Sequence, residues 1–271
     1  VEPFHYVRYD RRKGVWDKMR RLLLVISILL ILASCTKSEA DEKTEILVAA
    51  ASSMTPALTE IATEFEKVNK GIQVTFTFGS SGKLAQQIKN GAPVDVFISA
   101  SSSDMDKLEK NSKIESDTRI DITSNTLVVI RQKDGDNSLL NEENPFTSQI
   151  DHFAIGNPDT VPAGVYAKEA LTKLGEWEVL EPKFVFGKDV RQVLTFVETG
   201  NAEMGIVFTS DAHSSNKVEV ISEIDPTLHS SAVYPGALIS ATKQPKAAST
   251  FLDYMKTPEV QKILVDFGFT N

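Results

Sequence analysis

The chain has 271 residues, 41% hydrophobic and 24% charged, enough for one large domain or two smaller ones, each burying its own core. Its 29 basic and 37 acidic residues give a net charge of −8, which argues against a nucleic-acid binder, since those present a basic surface. The single cysteine, Cys35, excludes an intramolecular disulfide.

The first predicted element is an export signal. Met19-Arg20-Arg21 precedes an apolar run, residues 22–33, in which only Ser27 is polar. That run is too short for a bilayer, which needs about 20 residues. A basic start, a short apolar run and small residues describe a secretory signal. It closes on Leu32-Ala33-Ser34-Cys35, which resembles the lipobox of bacterial lipoproteins, with Cys35 as the lipidated residue. A generic signal peptide with an incidental cysteine is the alternative. Residues 19–35 are therefore the predicted signal and residues 36–44 a polar tether. Residues 1–18 do not fit a signal and are expected to precede the true start at Met19. Removing residues 1–35 leaves 22 basic and 34 acidic residues, a net charge of about −12. An anionic ligand would then have to be held by local dipoles against the global field.

From residue 46 onward, strands alternate with helices. Residues 46–50 read as a buried strand. Residues 56–68 read as a helix, with Leu58, Ile61, Ala62 and Phe65 at helical spacing and Thr55-Pro56 as capping hydroxyl and first-turn proline. Strands follow at 72–78 and 94–99, helices at 83–89 and 103–110. The pattern repeats with strands at 127–130, 153–156, 183–186 and 205–208. Between them lie helices at 164–174, stopped by Gly175, and at 190–198, capped by Asp189. Strands at 218–221 and 237–240 and helices at 246–255 and 258–267 complete the chain. Such alternation predicts α/β lobes with parallel or mixed sheets and a ligand cleft at the carboxyl ends of the strands.

Five strand-to-helix junctions, most of them rich in small or hydroxyl residues, stand out. They are Ala49-Ala50-Ala51-Ser52-Ser53, Phe78-Gly79-Ser80-Ser81-Gly82, Val161-Pro162-Ala163-Gly164, Gly187-Lys188-Asp189-Val190 and Phe208-Thr209-Ser210-Asp211. Small residues admit a ligand to the backbone N–H groups. The first N–H groups of a helix lack intrahelical partners, and the helix dipole adds positive potential there. Together these suit an anion without any Lys or Arg. Taken singly, a Ser ahead of a helix is usually just a cap; only convergence of several junctions makes a site.

Ala49-Ala50-Ala51-Ser52, Gly79-Ser80-Ser81-Gly82-Lys83-Leu84-Ala85, Gly91-Ala92-Pro93-Val94-Asp95-Val96-Phe97-Ile98-Ser99-Ala100, Val161-Pro162-Ala163-Gly164-Val165-Tyr166-Ala167-Lys168-Glu169-Ala170-Leu171, Asp189-Val190-Arg191, Gly205-Ile206-Val207 and the closing Phe267-Gly268-Phe269-Thr270 resemble the bacterial periplasmic molybdate-binding proteins. The resemblance runs in order over about residues 45–271. It implies a two-lobed type II periplasmic-binding fold with a central cleft and hinge. Lobe 1 would comprise residues 45–122 and 235–271, lobe 2 residues 123–234, with crossings near 122–124 and 233–235. It also implies an oxyanion receptor for an ABC importer, not an enzyme, with no cofactor.

On the matching motifs, Ser52 and Ser81 would give hydroxyl and backbone N–H donors, and Ala163 and Val190 backbone N–H groups. Molybdenum would be held only as molybdate, with no direct protein ligand to the metal. The family commonly places a tyrosine donor where this chain has Phe208, and losing a hydrogen bond to a charged group costs about 1.5–3 kcal/mol; Thr209 is the candidate to compensate. Tungstate would bind alike, and sulfate on the same fold is the alternative ligand. Hydrogen phosphate would leave its proton unpaired in a donor-only site. The expected setting is a monomer, lipid-anchored on the outer face of the cytoplasmic membrane or another periplasm-facing membrane, docking on permease subunits.

Other residues read as structural. His152, His213 and His229 lack metal-ligand spacing and are expected in loops or at the surface. Asp95 is expected to brace a loop, Arg191 to form an ion pair and Trp177 to pack. Walker A and Gly-x-Ser-x-Gly motifs are absent from the sequence.

Overall fold

The computed structural model describes residues 43–135, 141, 144–147 and 149–270, with Met19 and Arg20 ahead of them. Residues from Lys43 onward form one compact unit. The apolar run of the predicted signal, Cys35 and all but the end of the tether lie outside the described residues.

In chain order the elements are β1 (Thr44–Ala51), α1 (Thr55–Val68), β2 (Ile72–Gly79), α2 (Ser81–Lys89), β3 (Val96–Ile98), α3 (Ser102–Lys110) and β4 (Ile120–Asn125). Then come β5 (Leu127–Gln132), β6 (Phe153–Gly156), α4 (Pro162–Leu174), α5 (Trp177–Leu180), β7 (Phe184–Gly187), α6 (Val190–Glu198), β8 (Met204–Phe208), α7 (Thr209–His213) and β9 (Val218–Glu223). The chain ends in β10 (Ala232–Leu238), α8 (Pro245–Tyr254) and α9 (Pro258–Asp266).

The strands form two five-stranded sheets, ordered β2-β1-β3-β10-β4 and β7-β6-β8-β5-β9. Both are mixed. Strands β2, β1 and β3 are parallel, as are β7, β6 and β8, while β10 and β5 run antiparallel to their neighbours. Each sheet with its helices makes one lobe. The chain passes from the first sheet to the second at Thr126 and returns between Glu223 and Ala232. The crossings expected at 122–124 and 233–235 fall inside β4 and β10.

Local chemistry explains most elements. In α1 the buried face is Ala57, Leu58, Ile61, Ala62 and Phe65, and Phe65 meets Phe251 of α8 edge-on at 5.2 Å. In α6 the buried residues are Val190, Val193, Leu194 and Val197, and Asp189 caps the helix by accepting from the Gln192 N–H at 2.9 Å. Gly175 ends α4 with φ +79, the left-handed stop expected of it. Helix α4 lies so close to β6 that a Cβ on Gly164 would stand 2.0 Å from the Gly156 carbonyl.

Several expectations need correction. Thr55 is not a cap: a 3-10 turn, Ser52–Met54, leads straight into α1, so Thr55 is already helical and its hydroxyl donates to the Ser52 carbonyl at 2.7 Å. Strand β10 begins at Ala232, five residues before 237, because Pro235 is accommodated at a register shift between Tyr234 and Pro235. Strand β4 was not anticipated. Its backbone partners are distant: β10, and Thr270, which pairs with Ser124. His229 lies in a loop, as expected, but is buried rather than superficial, with its ring 5.7 Å from that of Tyr166. Trp177 packs on Phe184 at 4.7 Å, as expected.

Candidate functional site

Six strand-to-helix junctions meet at one small cavity. The first lobe contributes Ala51, Ser52 and Ser53 after β1, Gly79, Ser80 and Ser81 after β2, and Ala100 after β3. The second contributes Val161, Pro162 and Ala163 at the start of α4, Val190 at the start of α6 and Phe208 at the end of β8. The cavity encloses about 190 Å3 of space free of protein atoms, its mouth included. Ser52, Ser81, Ala163, Val190 and Phe208, the five residues expected at the site, all line it. The sixth junction, Ser99-Ala100-Ser101, was missed. Its signal was present, since it too is a small, hydroxyl-rich turn between a strand and a helix.

The lining sets four serines, Ser52, Ser53, Ser80 and Ser81, among apolar groups and carries no charge: among the described residues around the cavity there is no Asp, Glu, Lys, Arg or His. Ser81 and Val190 open α2 and α6, and Ala163 is the second residue of α4, so their N–H groups have no acceptor within the helix. The Ala100 N–H donates to Ser81 Oγ at 2.9 Å, which leaves the Ser81 proton available to the cavity. Three helix N-termini thus aim partial positive charge at one point, an environment rich in donors and free of carboxylates that suits an anion.

Both lobes touch beside the cavity. The Gly82 N–H donates to the Thr160 carbonyl at 3.1 Å. The Tyr166 hydroxyl donates to the Ala100 carbonyl at 3.1 Å. Burial pushes the Tyr166 phenol up to about 12, so it keeps its proton and stays a donor at neutral pH. Ser53, which lines the cavity, has its Oγ 2.8 Å from the Oη of the buried Tyr234.

Phe208 has no donor. Its ring packs edge-on to Tyr166 and Tyr234, with centroids 6.4 Å and 5.8 Å away. Thr209 does not take over the missing role: it is outside the lining, and its hydroxyl bonds that of Thr126 at 2.7 Å. Arg191 points away from the cavity, donating to Ser214 Oγ and standing 3.8 Å from Asp211 Oδ1. Asp211 is fully buried, and that burial pushes its carboxyl up to about 7 against the pull of Arg191.

A larger, open cavity, about 1220 Å3 on the same measure, lies at the other end of β3, around Gly91, Asp95, Lys113 and Lys243. Asp95 is committed there, accepting from the Leu47 N–H at 2.8 Å and from the Thr242 hydroxyl. This is the loop-bracing role expected of it. No group of three or more His, Cys, Asp and Glu among the described residues could hold a metal ion. None of the described helices is long and apolar enough to cross a membrane.

Two α/β lobes closing on a cavity lined by uncharged donors define the class: a solute-binding protein with the two-lobed periplasmic fold. The model of the bacterial extracellular solute-binding protein family matches residues 46–270, and the chain belongs to that family. It is 40% identical over 235 residues to the molybdate-binding protein ModA of Escherichia coli (strain K12), covering 85% of this chain and 90% of that one. It is 35% identical over 260 residues, 94% of this chain and 99% of the relative, to a Bacillus subtilis (strain 168) protein provisionally named ABC transporter substrate-binding lipoprotein YvgL. The solved periplasmic molybdate-binding protein of Azotobacter vinelandii superposes with a TM-score of 0.75 at 26% identity, over 83% of this chain and 99% of that one. These relatives are carriers of solutes rather than enzymes, in agreement with the expectation from sequence.

Proposed function

We propose that this protein captures molybdate outside the cytoplasm and hands it to an ABC importer. The observation that carries the reading is the convergence of helix starts and serine hydroxyls from both lobes on one cavity without a charged side chain. Molybdate is a bare dianion at neutral pH, so it needs donors only. Ser52 and Ser81 give hydroxyl and N–H donors from the first lobe, and Ala163 and Val190 give N–H donors from the second. Tungstate, nearly identical in size and charge, binds alike.

Hydrogen phosphate is disfavoured because no carboxylate lines the cavity to take its proton, and a serine that accepted it would be lost as a donor to the other oxygens. Sulfate is a bare dianion too, and is discriminated by fit to the cavity. The ModA relatives, named for molybdate, support this ligand. The lipobox-like Leu32-Ala33-Ser34-Cys35 and the name of the Bacillus subtilis relative support a lipid anchor at Cys35 on the outer face of the membrane. The anchored monomer presents both closed lobes to the permease.

Calorimetric titration of the protein with molybdate, tungstate, sulfate and phosphate tests the reading. Molybdate and tungstate bind one per chain and tightly, sulfate binds much more weakly, and phosphate gives no heat of binding. Tight sulfate binding with weak molybdate binding would transfer the assignment to sulfate.

A further inference from the structure

We infer that Tyr234 and Ser53 form a hydrogen-bond relay that delivers to the ligand the hydroxyl donor Phe208 lacks. The inference rests on the oxyanion reading above and adds two residues to it. Ser53 lines the cavity beside Ser52, and both Ser53 and Tyr234 are buried.

The direction of the relay follows from which groups can only donate. The Thr126 N–H donates to Asn125 Oδ1 at 3.0 Å, which fixes the orientation of the Asn125 amide. Asn125 Nδ2 is then a donor alone. It serves Ser210 Oγ at 2.8 Å and Tyr234 Oη at 3.4 Å. Tyr234 Oη therefore accepts from Asn125, and its own proton must go to its other polar neighbour, Ser53 Oγ, at 2.8 Å. Burial holds the Tyr234 phenol well above its ordinary range, so the proton stays on it.

With Tyr234 donating to it, Ser53 Oγ keeps its own proton free for a ligand in the cavity it lines. Each bond in such a chain polarises the next, so Ser53 donates more strongly than an isolated serine. Tyr234 is a positioning residue, acting through Ser53. Its ring is held edge-on between Phe208 at 5.8 Å and Phe269 at 5.4 Å, which fixes where the hydroxyl sits.

The test is a double-mutant cycle read by calorimetry with molybdate on the full protein, using Ser53→Ala, Tyr234→Phe and the pair. A melting curve of each ligand-free variant separates lost binding from lost folding. Ser53→Ala is expected to weaken binding about ten- to a hundredfold, the usual effect of removing a donor to a charged acceptor. Tyr234→Phe should weaken it by less, and the pair no more than Ser53→Ala alone. Adding Phe208→Tyr to Ser53→Ala should restore most of the loss.

Unchanged affinity in Ser53→Ala, or losses that simply add in the pair, would overturn the relay while leaving the oxyanion site standing. A parent protein that binds neither molybdate nor sulfate would overturn both.

Discussion

The amide of Gly82 donates to the carbonyl of Thr160 at 3.1 Å, tying the first turn of α2 to the loop ahead of α4 and so one lobe to the other. A Cβ on Gly82 would stand 2.6 Å from that same oxygen. Since the clash is with backbone, the side chain cannot be accommodated without parting the lobes. Gly82→Ala should leave each lobe folded but hinder closure. Molybdate affinity should fall at least tenfold, with a melting temperature within a few degrees of the parent. Calorimetry and a ligand-free melt check both, and a variant that binds like the parent would show that this contact does not govern closure.

Ser81 carries two duties: its Oγ accepts from the Ala100 N–H, and its proton faces the cavity. Ser81→Ala removes both. Affinity should drop about ten- to a hundredfold, and stability by about 1–3 kcal/mol for the orphaned amide. Titration and denaturant unfolding measure the two separately.

Helix α6 was legible from sequence because its signals are local: an apolar stripe at helical spacing, an Asp before it and a Gly beyond it. The junctions around the cavity were legible for the same reason, since small and hydroxyl residues cluster within a few positions. Strand β4 was not. Its Thr123 and Asn125 are polar yet buried, and the groups that satisfy them come from Thr270, Ser210 and Tyr234, far along the chain. The bond between Ser53 and Tyr234 spans 181 positions, and nothing near either residue announces it.

Asp211 makes stability depend on pH. Its folded carboxyl is raised by burial to about 7 from an ordinary value of 3.8. Between those values the folded state holds a proton that the unfolded state has released, so stability falls as pH rises from about 4 to about 7 and levels off above. The full effect is at most about 4 kcal/mol. Asp211→Asn, isosteric and uncharged, should flatten this dependence and melt higher than the parent at pH 8. Melting curves at pH 5 and pH 8 read it directly; equal slopes in both proteins would contradict the assignment.

Gly164 is where α4 rests on β6, and a Cβ there would fall 2.0 Å from the Gly156 carbonyl. Gly164→Ala should push α4 away from its strand, lowering the melting temperature and displacing the N–H of Ala163. Circular dichroism melts and titration of the same sample should fall together.

Crystals grown with molybdate, with anomalous scattering recorded at the molybdenum edge, test the central claim most directly. One peak should lie among Ser52, Ser81, Ala163 and Val190, with oxygens in hydrogen-bond reach of the two serine hydroxyls and of N–H groups from both lobes. A peak elsewhere, for instance in the larger cavity beside Asp95, or one touched by a carboxylate, would contradict the account.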